Sequence, residues 1–393
     1  MSPVAEVASV FLKLGCTSFG GPVAHLGYFR AELVEKRGWI DDERFGDLVA
    51  LCQFLPGPAS SQLVFALGMH RAGLAGAIAG SLAFTLPSAL LMIAFAYGVS
   101  AAGELRGAGW IHGLKLAAVG VVAQAVLGMG KSLSSGRARL TMTVLSAIAI
   151  LAIPGALTQI AVIVACGALG FVLYRSAIPV PSREDGEPVR RRHGAAVAAL
   201  ALFGALLAAL PAVARATGIR EIAIFDSFYR AGSLVFGGGH VVLPLLRAEV
   251  VPRGWVTDDQ FLAGYGAAQA IPGPLFTFSA FLGASMTAGP AAFGMGLLCL
   301  FGIFLPAWLL IGGTLPFWHT IRTKRWAKAA LAGANASVVG VLLAALYDPV
   351  ITESVRGPLD VVGALGAFCA LQLGKAPPWA VVLGMAGVGA LLG

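Results

Sequence analysis

Apolar runs of more than twenty residues recur along the whole chain, and they limit its fold more than any other feature. The runs that begin at Ala75 and Ala291 are each long enough to cross a bilayer as a helix, which takes about 20 residues. Only 12% of the 393 residues are charged and 58% are hydrophobic, which is too little polar surface for a water-soluble globule. Segments of alternating polarity are rare, which argues against a membrane β-barrel. The sequence therefore predicts an all-α polytopic membrane protein.

We predict about thirteen transmembrane segments from the apolar runs and the turn residues between them. Their limits are 5–28, 45–66, 73–98, 108–130, 140–155, 157–174, 195–214, 223–246, 261–283, 290–317, 329–347, 359–374 and 377–393.

A long segment of the chain occurs twice in altered form. The first copy begins at Phe19 and reads FGGPVAHLGYFRAELVEKRGW, and the second begins at Phe236 and reads FGGGHVVLPLLRAEVVPRGW. In two aligned blocks, nine of 22 positions are identical, and both copies end in Pro-Gly-Pro. The aligned blocks pair residues 11–32 with 228–249 and residues 37–58 with 253–274.

The repeat predicts two homologous halves of six segments each, residues 1–175 and 222–393. Residues 176–221 form a basic, proline-rich linker followed by a joining helix. Because seven crossings separate equivalent helices, we expect the halves to have inverted topology, which is typical of secondary transporters with a substrate site between the repeats. Lys and Arg favour a cytoplasmic N-terminus by roughly two to one.

Three cations fall inside predicted membrane segments, where an ionisable residue is a candidate functional residue. Lys13 and Arg230 occupy equivalent positions, six residues before a Gly-Gly pair. The repetition favours a role in substrate binding over simple snorkelling toward the interface. Lys115 has no equivalent and lies near a segment end, so we interpret it as a snorkelling side chain.

Glycine pairs interrupt the first segment of each half, where each glycine weakens a helix by about 1 kcal/mol. A break there frees backbone N–H groups, which are tolerated in a membrane only where they face a cavity or a ligand. An anion is the natural ligand of such groups. The glycines are Gly20, Gly21, Gly237 and Gly238.

Each half also carries a Pro-Gly-Pro motif inside an apolar segment. Proline removes a hydrogen-bond donor and disfavours helix in the residue before it, so we expect each helix to stop and restart at this motif. Paired broken helices indicate a transport site, and a preceding glutamine would supply a neutral donor to an oxyanion. The residues are Gln53, Pro56, Gly57 and Pro58, and in the second half Gln269, Pro272, Gly273 and Pro274.

Arg30 and Arg247 each begin an Arg-Ala-Glu motif at a segment end. Two readings stay open: they attract anions at the two mouths of a pathway, or they pair with Glu32 and Glu249 at the surface.

The sequence lacks the motifs of an enzyme or an ATP-driven pump. No Walker, H-E-x-x-H or G-x-S-x-G motif occurs, and we predict no close carboxylate pair inside the membrane segments. We expect no cofactor and no metal, since the five cysteines show no metal-binding spacing. The net charge of +8 fits basic cytoplasmic loops, so no nucleic-acid partner is expected.

The glycine motif, the Pro-Gly-Pro motif and their repeats resemble the chromate ion transporter family, in particular its two-domain long-chain members. The resemblance covers essentially the whole chain, although Gly239 replaces Pro22 in the second copy. It implies a multi-pass protein of the bacterial inner (plasma) membrane that exports chromate and confers chromate resistance. Transport of sulfate or another oxyanion is the alternative, a membrane scaffold is a third reading, and a homodimer stays open.

Overall fold

The computed structural model describes residues 2–101, 109–175, 193–236, 239–318 and 324–392, and these are almost entirely helical. Within them, six helices are long and apolar enough to cross a membrane, and three apolar helices are shorter. The protein is therefore a polytopic helical membrane protein, and the count of thirteen crossings stays a prediction. The six long helices are Ala59–Ala101, Gly109–Leu133, Leu157–Tyr174, His193–Thr217, Ala291–Phe317 and Arg325–Ile351.

The described helices of the first half follow the predicted segments, with breaks at the glycine and proline motifs. In chain order they are α1 (Pro3–Thr17), α2 (Gly21–Phe29), a π-helical turn (Arg30–Lys36), α3 (Asp42–Phe54), α4 (Ala59–Ala101), α5 (Gly109–Leu133), α6 (Arg137–Ala152) and α7 (Ala156–Tyr174).

The second half repeats this order after the joining helix α8 (His193–Thr217). Its helices are α9 (Arg220–Ser233), α10 (Val242–Val250), α11 (Asp258–Ala270), α12 (Phe278–Ser285), α13 (Ala291–Thr314), α14 (Arg325–Ala345), α15 (Pro358–Gln372) and α16 (Pro378–Leu392).

Equivalent residues begin equivalent helices in the two halves. The Asp41 side chain accepts a hydrogen bond from the Arg44 N–H and caps α3. Thr257, at the matching position, caps α11 by a capping box with Gln260. Capping of this kind satisfies N–H groups that have no partner within the helix.

A short helical segment follows each Pro-Gly-Pro motif, and the chain then reverses direction. Within α4 the backbone leaves helical geometry at Ala72 and Gly73, so that Gly68 and Gly76 meet. A Cβ added to Gly68 would lie 2.5 Å from the Gly76 carbonyl oxygen. In the second half, a Cβ on Gly283 would likewise lie 2.5 Å from the carbonyl oxygen of Met295. Small residues thus bring the two helices of each hairpin into backbone contact.

The two halves are intertwined, because each packs part of itself against the other. Helix α5 of the first half packs against α15 and α16 of the second, and its equivalent α14 packs against α6 and α7 of the first. Glycines allow these close approaches. Gly333 on α14 meets the Cys166 carbonyl and Gly170 on α7, and Gly120 on α5 meets Ala367 on α15.

We predict that Gly333→Leu lowers the thermal stability of the purified protein. A leucine there would collide with the α7 backbone, and overpacking of this kind costs about 1–3 kcal/mol. The midpoint of thermal unfolding in detergent, measured by fluorescence-detected size exclusion, should fall by several degrees. The matched control is Gly366→Leu, since Gly366 is exposed with nothing near its Cβ position. Equal unfolding midpoints for the two variants would contradict the close packing of α14 against α7.

Candidate functional site

The break in the first helix of each half lies against the Pro-Gly-Pro loop of the other half. The Gly57 N–H donates a hydrogen bond of 2.7 Å to the Val235 carbonyl, and the Gly273 N–H donates one of 2.9 Å to the Ser18 carbonyl. Gly57 is equivalent to Gly273 in the repeat, and Ser18 is equivalent to Val235. The same contact is therefore made twice, once by each half, and it brings the four breaks together in two pairs.

The middle position of each Pro-Gly-Pro loop requires glycine. The φ angle is 119° at Gly57 and 97° at Gly273, a region that other residues rarely adopt. A Cβ on Gly57 would lie 2.9 Å from Gln62 Nε2, and one on Gly273 would lie 2.9 Å from Ser88 Oγ. The motif thus combines a proline stop with a glycine that approaches its neighbours closely.

The first helix of the first half breaks at the glycine pair. Gly20 and Gly21 have φ angles of 95° and 74°, and α2 restarts at Gly21. In the second half α9 ends at Ser233 and the chain becomes helical again at Gly239. The predicted residues Gly237 and Gly238 lie outside the described residues. The role of these glycines in anion binding stays a prediction.

Several buried polar atoms close in sequence to the breaks have no hydrogen-bond partner in the described part of the chain. They include Ser18 Oγ, His25 Nδ1, Gln62 Oε1 and Gln269 Nε2. Buried polar groups in proteins are normally bonded, so these atoms need a partner from outside the described residues, either water or a polar ligand. Gln269 was predicted as a donor, whereas its equivalent Gln53 is exposed. Gln62 was missed, and a glutamine in the apolar run after Pro-Gly-Pro is the signal that would have found it.

Arg230 lies in a buried cluster of charged side chains in the second half. Its Nη1 lies 2.9 Å from Glu249 Oε1, and Arg253 Nη2 lies 3.0 Å from Glu249 Oε2. The side chain of Arg230 is only 20% exposed and that of Glu249 only 7%. Arg230 is therefore not a snorkelling side chain, because its charge is neutralised inside the protein.

The first half contains the equivalent cluster in a more open form. Lys13 Nζ lies 3.4 Å from Glu32 Oε2, and Arg37 Nε lies 2.9 Å from Glu32 Oε1. Burial alone would raise the pKa of Glu32, but the Arg37 hydrogen bond and the charges of Lys13 and Lys36 lower it below its ordinary value. The Lys13 side chain is 55% exposed. Lys13 is therefore paired with a carboxylate but is not enclosed as Arg230 is.

The second half holds a carboxylate that the first half lacks, and the sequence analysis did not identify it. Asp226 lies one turn before Arg230, with Arg230 Nη2 2.9 Å from Asp226 Oδ2, and its side chain is 5% exposed. Asp226 and Glu249 thus share Arg230. Asp226 lies in the predicted segment 223–246 and Glu249 lies just beyond its end, so a search within the predicted membrane segments did not find this pair. The position equivalent to Asp226 is Ser9.

Arg30 and Arg247 pair with aspartates that follow them in sequence, not with the glutamates of their own motif. Arg30 donates to both carboxylate oxygens of Asp42 at 2.8 Å and also contacts Glu35. Arg247 Nε lies 2.7 Å from Asp258 Oδ1. Of the two readings left open, pairing with Glu32 and Glu249 is contradicted, because the chain turns back at the end of α2 and of α10 and brings the start of α3 and of α11 alongside.

Lys115 is buried and forms an ion pair between the halves. Its Nζ lies 2.6 Å from Asp259 Oδ1 at the start of α11, and its side chain is 3% exposed. The interpretation of Lys115 as a snorkelling side chain was therefore wrong. The ion pair connects α5 of the first half to α11 of the second.

A cleft of about 740 Å³ opens beside the Arg230 cluster. The ends of α8 and α10, the middle of α9 and the first turn of α7 surround it, and Gly155 and Thr158 contribute from that first turn. The N-terminus of a helix of this length favours negative charge. Three arginines and two carboxylates give the wall a formal charge of +3 − 2 = +1; they are Arg215, Arg230, Arg253, Asp226 and Glu249. The cleft thus combines the charge and the donors that suit an oxyanion.

Two similar halves whose broken helices contact each other, in a helical membrane protein that also has a cationic cleft, are typical of a membrane transporter. The profile of the chromate transporter family matches residues 5–171 and again residues 222–390. This chain belongs to the chromate transporter family. No solved structure matches it.

Curated relatives extend over most of the chain. It is 31% identical to the chromate transport protein of Pseudomonas aeruginosa over 90% of this chain and 82% of that protein. It is 27% identical to the chromate transport protein of Cupriavidus metallidurans over 94% of this chain and 87% of that protein. It is 26% identical to the probable chromate transport protein of Synechococcus elongatus over 98% of this chain and 95% of that protein.

We predict that Gly57→Ala and Gly273→Ala each lower the midpoint of thermal unfolding. A non-glycine residue at this backbone conformation costs about 1–2 kcal/mol, and the loop that shifts to relieve it carries the hydrogen bond between the halves. Differential scanning fluorimetry of the purified protein measures the change. The matched control is Gly128→Ala, an open position within α5, which should be neutral or slightly stabilising. Unchanged midpoints in both loop variants would contradict the role of the central contact.

Proposed function

We propose that this chain is a secondary transporter that exports chromate across the inner membrane of a bacterial cell and thereby confers resistance to it. The observation that carries the proposal is the cationic cleft at Arg230, in a chain whose two repeats both match the chromate transporter family. The names of the curated relatives support the same substrate.

The chemistry of chromate suits the cleft. Chromate is a tetrahedral dianion at neutral pH, and guanidinium groups bind such oxyanions through two parallel N–H donors. Arg230 and Arg253 lie on one wall, Arg215 lies at the exposed rim, and Thr158 near the start of α7 adds a hydroxyl. These groups supply both positive charge and hydrogen-bond donors.

We infer that the pathway continues from the cleft to the four breaks at the centre of the protein. Ser18 Oγ and Gln269 Nε2 offer polar atoms there that no described residue satisfies. The glycines and the Pro-Gly-Pro loops are proposed to frame this central segment, with Lys13 as the counterpart of Arg230. In this proposal Arg30 and Arg247 line the two mouths while they remain paired with their aspartates.

The proposed mechanism is alternating access by two inverted halves that rock about the central contact. Export of a dianion from an inside-negative cell releases about 4.6 kcal/mol per 100 mV, or twice the value for a single charge. This free energy corresponds to a concentration ratio of about a thousandfold or more. The membrane potential alone is therefore sufficient to drive export, and no ATP site is required. We also propose that the protein can form a homodimer, which this mechanism does not require.

We predict that everted membrane vesicles containing the protein take up chromate in a saturable manner. Arg230→Gln should reduce the initial rate about tenfold or more, since removing one partner of a buried charge pair costs about 2–5 kcal/mol. Lys13→Gln, in the more open cluster, should have a smaller effect. Sulfate has the same charge and shape as chromate. The concentration of sulfate that inhibits chromate uptake therefore measures how well the alternative substrate binds.

The control for these rates is Arg44→Gln, which removes a cation whose side chain is 70% exposed. It should leave the rate of uptake unchanged. Arg230→Lys keeps the charge and separates loss of function from loss of folding. Full transport by a well-folded Arg230→Gln variant would reject the proposed site, and absence of protein-dependent chromate uptake would reject the substrate.

We predict that equivalent loops of the two halves lie on opposite sides of the membrane. Ser135 and Glu353 are exposed, and they lie in the matching loops that follow α5 and α14. In a cysteine-free background, an impermeant maleimide should label Glu353→Cys from outside in intact cells. The same reagent should label Ser135→Cys only in everted vesicles. Labelling of both from the same side would exclude inverted topology.

A further inference from the structure

Carboxylates occupy both edges through which Arg230 can donate a pair of parallel hydrogen bonds. Its Nε donates to both oxygens of Asp226, at 3.1 Å each, and its Nη2 lies 2.9 Å from Asp226 Oδ2. The Nη1 atom lies 2.9 Å from Glu249 Oε1, and Nη2 lies 3.1 Å from Glu249 Oε2. An oxyanion binds a guanidinium in pairs through these same edges. Paired binding of an oxyanion at Arg230 therefore requires one carboxylate to leave.

The two carboxylates are held unequally. Glu249 also accepts hydrogen bonds from Ser227 Oγ at 2.9 Å and from Arg253 Nη2 at 3.0 Å. In the described part of the chain, the hydrogen bonds of the Asp226 carboxylate come from Arg230 alone. Displacing Asp226 breaks fewer bonds than displacing Glu249, so Asp226 is the group that an incoming anion replaces.

The first half has no carboxylate at this position. Lys13, Glu32 and Arg37 reproduce Arg230, Glu249 and Arg253, while Ser9 stands where the second half has Asp226. The second carboxylate of the first-half cluster, Glu6, pairs with Arg37 at 3.7 Å (Nη1 to Oε1). Asp226 is thus specific to the second half, where it lines the cleft.

We propose that Asp226 is an internal competitor for the substrate: it occupies Arg230 in the empty cleft, gives way to a divalent oxyanion, and so excludes monovalent ones. This inference rests on the proposed function, because it takes the Arg230 cleft as the oxyanion site. It makes Asp226 a specificity-determining residue.

The selectivity follows from the exchange of charge. A monovalent tetrahedral anion replaces the single negative charge of Asp226 with an equal one and gains nothing over hydrogen bonds that already exist. A dianion carries twice the charge into a cleft whose wall has a formal net charge of +1, so its net Coulomb attraction is about twice as large at the same distance. Only the dianion offsets the loss of the Asp226 contact.

The test is Asp226→Asn in everted vesicles, with perchlorate as the monovalent tetrahedral probe. The KM for chromate should fall about tenfold, because a site that is free only one-tenth of the time binds about tenfold more weakly than a site that is always free. Perchlorate should leave wild-type uptake unaffected at concentrations that inhibit the variant. Asp226→Ser, which installs the residue of the first half, should behave in the same way.

The matched control is Ser9→Asn, which places the same amide at the equivalent position of the first half and should change neither the KM nor the effect of perchlorate. A residue that only positions Arg230 would give the opposite result, because its loss would raise the KM and leave perchlorate without effect. That outcome, or an unchanged KM in both Asp226 variants, overturns the proposal.

A binding measurement separates this proposal from the proposed function. Millimolar chromate or sulfate should raise the thermal unfolding midpoint of the purified wild-type protein, and perchlorate should raise only that of the Asp226 variants. This pattern without chromate uptake would uphold the internal competitor and reject chromate transport. Uptake by the wild type with equal stabilisation by all three anions would reject the competitor alone.

Discussion

Two backbone hydrogen bonds, from Gly57 to Val235 and from Gly273 to Ser18, hold the broken helices of the two halves together. A helix that breaks inside a membrane exposes polar backbone groups, and each one left unsatisfied costs several kcal/mol. Each half supplies a donor to the break of the other, so neither break is stable alone. The short hairpins follow the Pro-Gly-Pro loops that make these contacts, and α9, which carries Arg230, ends just before Val235.

The repeat gives the protein two equivalent halves, and the two halves differ most clearly in their clusters of charged side chains. Both halves have a cation bound to a glutamate, which is bound in turn to an arginine. The cluster of the first half is open, because the Lys13 side chain is exposed to solvent or lipid. The second is enclosed, uses arginine and adds Asp226. In the proposed pathway a dianion would meet two different environments, which suits a carrier that must bind on one side and release on the other.

Sequence reasoning located the breaks and the equivalent cations, because glycine pairs and Pro-Gly-Pro have local consequences for any helix. It did not identify the carboxylates with which these cations form ion pairs. One of the two readings of Arg30 placed it beside Glu32, but it binds Asp42, because the chain after α2 folds back onto the start of α3. Asp226 was overlooked because comparing the repeats draws attention to shared residues, and this one is not shared. Hydropathy also predicted that α5 is a membrane helix, but it carries no information on which helices α5 packs against.

The exchange of helices between the halves has a consequence for biogenesis. Helix α5 packs against α15 and α16, which are synthesised long after it. The first half is therefore inserted with one face of α5 lacking its final neighbours, and that face stays uncovered until α15 and α16 have been made. Contacts between residues so distant in sequence form slowly. The first half must therefore wait in the bilayer as a partly assembled bundle until the second half supplies these two helices.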